Sequence, residues 1–120
     1  MEQPPVLEAE TVGLPGPIAG DLLEAALCCS VGAYRGAALL ARRAVEQVAV
    51  MRRVPLEMGT LHQKVVWLLR SGQLPRELSQ HARIVGDIGT AAAHGGEPLT
   101  RDEAYALVTS ALAVAQAVLD

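Results

Sequence analysis

Phenylalanine is absent from this chain, aromatic residues make up only 2% of it, and a single lysine, Lys64, stands among nine arginines. With 51% apolar residues, the interior must be filled by Ala, Leu and Val, whose small and medium side chains let helices approach closely. The strict apolar–polar alternation of a half-buried strand is missing, as are internal repeats and low-complexity tracts. No run reaches the roughly 18 uninterrupted apolar residues of a membrane span. The opening Met1-Glu2-Gln3-Pro4-Pro5 has neither the basic nor the apolar region of a secretory signal. The expectation is a cytoplasmic chain with no membrane association.

Gly-rich phosphate loops, Cys/His zinc spacing, the paired-histidine metalloprotease motif and a serine-nucleophile motif are all missing, so neither a metal nor a small-molecule cofactor is expected. A formal net charge of −3 argues against a broadly basic nucleic-acid surface, while leaving room for a local basic patch. Cysteine occurs only as the adjacent pair Cys28 and Cys29, whose side chains leave a helix about 100° apart and are poor disulfide partners. They read as small buried hydrophobes of a reducing compartment.

What is present is helical. At 120 residues the chain fits one domain with its own core. Residues 1–16, with Pro4, Pro5, Pro15, Gly13, Gly16 and acidic side chains, have the composition of a flexible arm that need not join the core, leaving 17–120 as a single helical domain. A first helix is expected to open near Pro17 and end at Val31-Gly32. A second, from Tyr34 to Arg53, carries a stripe of Ala37, Ala38, Ala41, Ala44, Val45, Val48 and Ala49 at the spacing of a buried face. Thr60-Leu61-His62-Gln63 has the form of a capping box opening a third helix. Pro75 starts a fourth, which Gly86 and Gly89 either kink or pack tightly. Thr100-Arg101-Asp102-Glu103 is a second capping box, opening a last helix with Ala104, Leu107, Val108, Ala111, Leu112, Ala115, Val118 and Leu119 in register. The fold class is therefore all-α, an antiparallel bundle of about five helices, with the alanine stripes of the second and last helices as the expected seam of a homodimer.

Few residues offer chemistry. His94, after a run of small residues, could act as a general acid or base, could cap the last carbonyls of the fourth helix, or could contact a partner. On the second helix, Arg35, Arg42 and Arg53 fall within about 40° of one another, with Glu46 beside them and Arg43 adjacent. They read either as a solvated face with an Arg42–Glu46 pair or as an anion-binding stripe. Tyr34 and Trp67 are expected to pack at the core or an interface, and His62 and His81 to lie at the surface or at caps.

The string Ala33-Tyr34-Arg35-Gly36-Ala37-Ala38-Leu39-Leu40-Ala41-Arg42-Arg43-Ala44-Val45-Glu46 resembles one helix of DUF4145, a bacterial family of domains of unknown function often attached to restriction-enzyme subunits. The later pieces Leu61-His62-Gln63-Lys64-Val65, Gly72-Gln73-Leu74-Pro75 and Ile88-Gly89-Thr90-Ala91-Ala92-Ala93-His94 follow the same pattern in the same order, so the resemblance covers about residues 20–119. That family is similar in turn to the HEPN superfamily of helical, commonly dimeric bundles, several of them metal-independent ribonucleases in which an Arg just upstream of a His faces the scissile phosphate. The corresponding offsets from His94 fall on Asp87, Ile88 and Gly89. None is basic, and Asp87 would repel a phosphate. The nearest upstream arginine, Arg83, lies about three helical turns before His94, and Thr90 stands where the family has Asn. What the resemblance implies is a non-catalytic HEPN-like module that homodimerises and binds a protein or RNA partner in a prokaryotic defence or regulatory setting. The alternative is a weak ribonuclease with His94 as base and Arg42 or Arg43 on the phosphate.

Overall fold

The computed structural model describes residues 3–93 and 98–119. Among these residues the regular structure is entirely helical: α1 (Gly16–Ser30), α2 (Tyr34–Met51), α3 (Leu61–Arg70), α4 (Ser79–Ala93) and α5 (Arg101–Leu119), with short 3-10 turns at Glu8–Thr11 and Arg76–Leu78. The chain is an all-α bundle. α1 and α2 form an antiparallel hairpin, visible in the way Cys28 lies against Gly36 while Asp21 reaches Arg43 and Gln47. α3 and α4 form another, with Leu61 and His62 against Gly89 and Gly86.

α2 is the central element and touches each of the other four helices. Its stripe of five alanines with Val45 and Val48 is buried to 2% exposure or less, as are Ala104, Leu107, Val108, Ala111 and Ala115 of α5. The alanine stripes expected to form a dimer seam are therefore used up inside one chain. With no long side chain on this face, α2 can be approached from several sides at once. Both expected capping boxes are formed. Thr60 and Gln63 exchange hydrogen bonds of 3.1 Å at α3, and Thr100 and Glu103 exchange bonds of 3.0 and 3.1 Å before α5. The Thr100 backbone N–H, and after it the Thr100 hydroxyl, hold the Glu103 carboxyl below its ordinary range.

Several expectations change. The arm is pinned: Val6 is 2% exposed, Thr11 is buried, and Gln116 donates to the Glu10 carbonyl at 2.9 Å. Burial of one apolar side chain and a long-range hydrogen bond outweigh the Pro/Gly composition that pointed to a free segment. α4 begins at Ser79 rather than at Pro75, because Pro75 is extended and leads first into the 3-10 turn. His81 is half-buried and does not stand free at the surface. Its Nδ1 lies 2.9 Å from Oγ of the buried Ser110 and ties α4 to α5.

The second helix stops at Met51, short of Arg53. Arg53 N–H bonds the Val50 carbonyl at 3.1 Å and Val54 N–H bonds the Ala49 carbonyl at 3.0 Å, the paired bonds of a Schellman stop. Such a stop needs a left-handed residue, and Arg53 has φ 56°. α1 and α3 end at the same relative position with Gly32 and Gly72, at φ 82° and 80°. An L side chain in this conformation costs roughly 1 kcal/mol that glycine avoids.

Three outcomes follow from this packing. Arg53→Gly is expected to stabilise the protein by about 1 kcal/mol, a rise of roughly 4 °C in thermal midpoint for a domain of this size, measurable by calorimetry. Gly89→Ala should do the reverse of an ordinary helical Gly→Ala change, because its Cβ would lie 2.8 Å from Cδ2 of the buried Leu61. We expect a loss of about 1–2 kcal/mol by denaturant titration in place of the usual gain. Burial, and then the neighbouring Cys28, push the Cys29 thiol from 9.0 up to about 11. The unfolded chain therefore releases this proton before the folded one does, so stability falls as pH rises from 9.0 toward 11. Cys29→Ala should flatten that decline by of order 1 kcal/mol per pH unit.

Candidate functional site

The side chains that could carry function gather where the second half of α2, from Arg42 on, meets α3 and α4. Arg42 is only 16% exposed, because its stem runs under α4 past Gly89, whose missing Cβ leaves room at 3.6 Å from Arg42 Cγ. Its Nη1 donates to the Gly89 carbonyl, and its Nη2 lies 3.8 Å from Glu46. Glu46 also receives Lys64 Nζ at 3.4 Å, so one carboxylate is shared by two cations from different helices. Beside them His62 Nδ1 faces Asp87 at 3.7 Å, both side chains being more than half exposed.

Below this junction opens a groove of about 530 Å³, walled by Val50, Arg53, Leu56, Met58 and Gly59 and bounded by Glu46 and Lys64. Leu56 is 97% exposed and Val50 76% exposed. The Arg53 side chain makes no ion pair or hydrogen bond among the described residues.

The residues read from sequence as one stripe are thus divided. Arg42 and Glu46 belong to the junction, and Glu46 and Arg53 to the groove. Arg53 lies beyond the end of α2, so the helical angle that aligned it with the other two no longer governs its direction. Arg35 sits exposed in the first turn of α2, roughly 25 Å from the groove end at 1.5 Å per residue. Arg43 turns to the α1 side, 3.2 Å from an Asp21 carboxylate that also accepts from Gln47 at 2.6 Å. His94 lies outside the described residues.

Lys64, Leu56 and Met58 were not among the site residues expected from the sequence. The lone lysine was the available signal for the first, and an isolated leucine between Pro55 and Glu57 for the second. The His81–Ser110 pair has the separation of a base and a nucleophile, but Ser110 is 1% exposed and no substrate carbonyl can reach its hydroxyl. Among the described residues, no three His, Cys, Asp or Glu side chains are placed to hold a metal ion, and no helix is long and apolar enough to cross a membrane.

Comparison with known proteins yields a family match alone. No curated protein and no solved structure matches the chain. The family described as a domain of unknown function, DUF4145, matches residues 23–120, which takes in α2 to α5 and all but the first turns of α1. The match includes the Arg42–Gly89 junction and the whole groove, and the chain belongs to the DUF4145 family.

Proposed function

We propose that this domain is a non-catalytic, HEPN-like helical binding module that homodimerises and engages a protein or nucleic-acid partner in a prokaryotic defence or regulatory system. The observation that carries the non-catalytic part is the employment of the two arginines a ribonuclease would need. Arg42 is bonded to the Gly89 carbonyl and shares Glu46, and Arg43 is paired with Asp21. Releasing Arg42 to a phosphate would leave the Gly89 carbonyl without this donor and Glu46 with one cation fewer, a cost an efficient catalyst would carry at every turnover. The offsets before His94 that would hold the nuclease arginine are Asp87, Ile88 and Gly89. The dimer surface of this proposal lies outside the alanine stripes, on apolar side chains that one chain leaves exposed, such as Leu27, Val31 and Leu39.

One observation favours the ribonuclease reading: Arg42 reaches α4 at Gly89, about one turn before the helix ends at Ala93 on the way to His94. The two readings separate in one assay. Incubation of the purified domain with single-stranded RNA, without divalent metal, is expected to give no cleavage above the His94→Ala control. Sedimentation velocity at micromolar concentration is expected to show a dimer. Cleavage that disappears in His94→Ala would replace the binding module with an enzyme, and a monomer would remove the dimer.

A further inference from the structure

Among the described residues, three helices are followed at the same relative position by a left-handed residue, and of these α2 alone fills it with a side chain, Arg53, instead of glycine. The side chain held there at a cost in stability is also the charged wall of the groove that finds no partner among the described residues. Resting on the binding-module reading above, we infer that this groove docks a segment of a partner protein that presents an apolar side chain next to a carboxylate.

The walls select both halves of that segment. Val50 and Leu56, 76% and 97% exposed, offer an apolar face that the chain itself leaves uncovered, with Met58 as an adaptable floor. The charges at the rim are Glu46, Lys64 and Arg53. Lys64 is offset by Glu46 at 3.4 Å, which leaves Arg53 as the uncompensated charge. The N-terminal end of α3 adds its positive dipole end, with Gly59 at the groove and Lys64 in its first turns. A patch of this sign on a chain of net charge −3 attracts an acidic segment and rejects a basic one. Glu57, in the same connector, does not line the groove. RNA is the poorer occupant. No aromatic ring lines the groove for a base to stack on, and one uncompensated cation cannot neutralise a run of phosphates. A volume of about 530 Å³ suits a few side chains of a peptide.

The test is a titration of the full-length ¹⁵N-labelled protein, followed by amide shifts, with three blocked hexapeptides as probes: alternating leucine and glutamate, alternating leucine and lysine, and alternating serine and glutamate. The leucine–glutamate peptide is expected to shift amides of residues 50–64, with the other two weaker by about tenfold. Arg53→Glu should weaken it by a similar factor. Arg53→Gly should also weaken binding while raising the thermal midpoint, a combination that a purely structural role for Arg53 does not produce. Three results would overturn the inference: equal response to the three peptides, shifts mapping to another surface, or Arg53 variants that bind unchanged. Conversion of a dimer into a monomer by Leu56→Ser would overturn it in another way, by giving the groove to a second copy of the chain. RNA cleavage or a monomeric wild type would sink the functional reading above without altering the peptide map, so the two failures are distinguishable.

Discussion

The close approach of four helices to α2 is the constraint on which the rest of the structure depends. A central helix can be surrounded only if its buried positions are short, and α2 supplies Ala37, Ala38, Ala41, Ala44 and Ala49 there. The same economy appears on α4, where Gly89 makes room for Leu61 and for the Arg42 stem. Because neighbouring backbones are near, a side chain leaving α2 can reach a carbonyl of another helix directly, and the candidate site is a product of that proximity.

Arginine has a structural use here that aromatic residues have in many other small domains. With three aromatic rings in the whole chain, long-range ties fall to guanidinium groups with apolar stems and planar forks. Arg42 holds the Gly89 carbonyl. Arg52 places Nε and Nη2 at 3.1 and 2.7 Å from the Val118 carbonyl, joining the C-terminal ends of α2 and α5 with a cation at the negative end of the α5 dipole. Arg43 secures α1 through Asp21. Arg53, like Arg35, Arg70, Arg76 and Arg83, makes no side-chain hydrogen bond or ion pair among the described residues, and of these five it is the one that lines the groove.

The helices were legible in the sequence because their signals are local. The alanine stripe of α2, the register of α5 and the two capping boxes depend on residues within a few positions of each other, and all are present. The site was legible only in pieces. Arg42, Glu46 and Arg53 could be named, but Lys64 joins Glu46 across 18 residues of separation, which no periodicity encodes. The stop of α2 at Met51 was missed because Arg53 gives no sign of a left-handed cap, whereas Gly32 and Gly72 announce theirs. The arm was misread for a related reason: composition describes what a segment is made of, while Val6 is buried and Glu10 is bonded by Gln116, a residue from the far end of the fold.

That last contact bears on the order of assembly. The hydrogen bond from Gln116 to the Glu10 carbonyl joins positions 106 residues apart, the longest side-chain tie among the described residues. Closing so long a loop gains nothing until the elements between are in place. Until α5 has packed, the Gln116 side chain is not in reach of Glu10, so the 3-10 turn at Glu8–Thr11 gains this tie only after the helices between have come together.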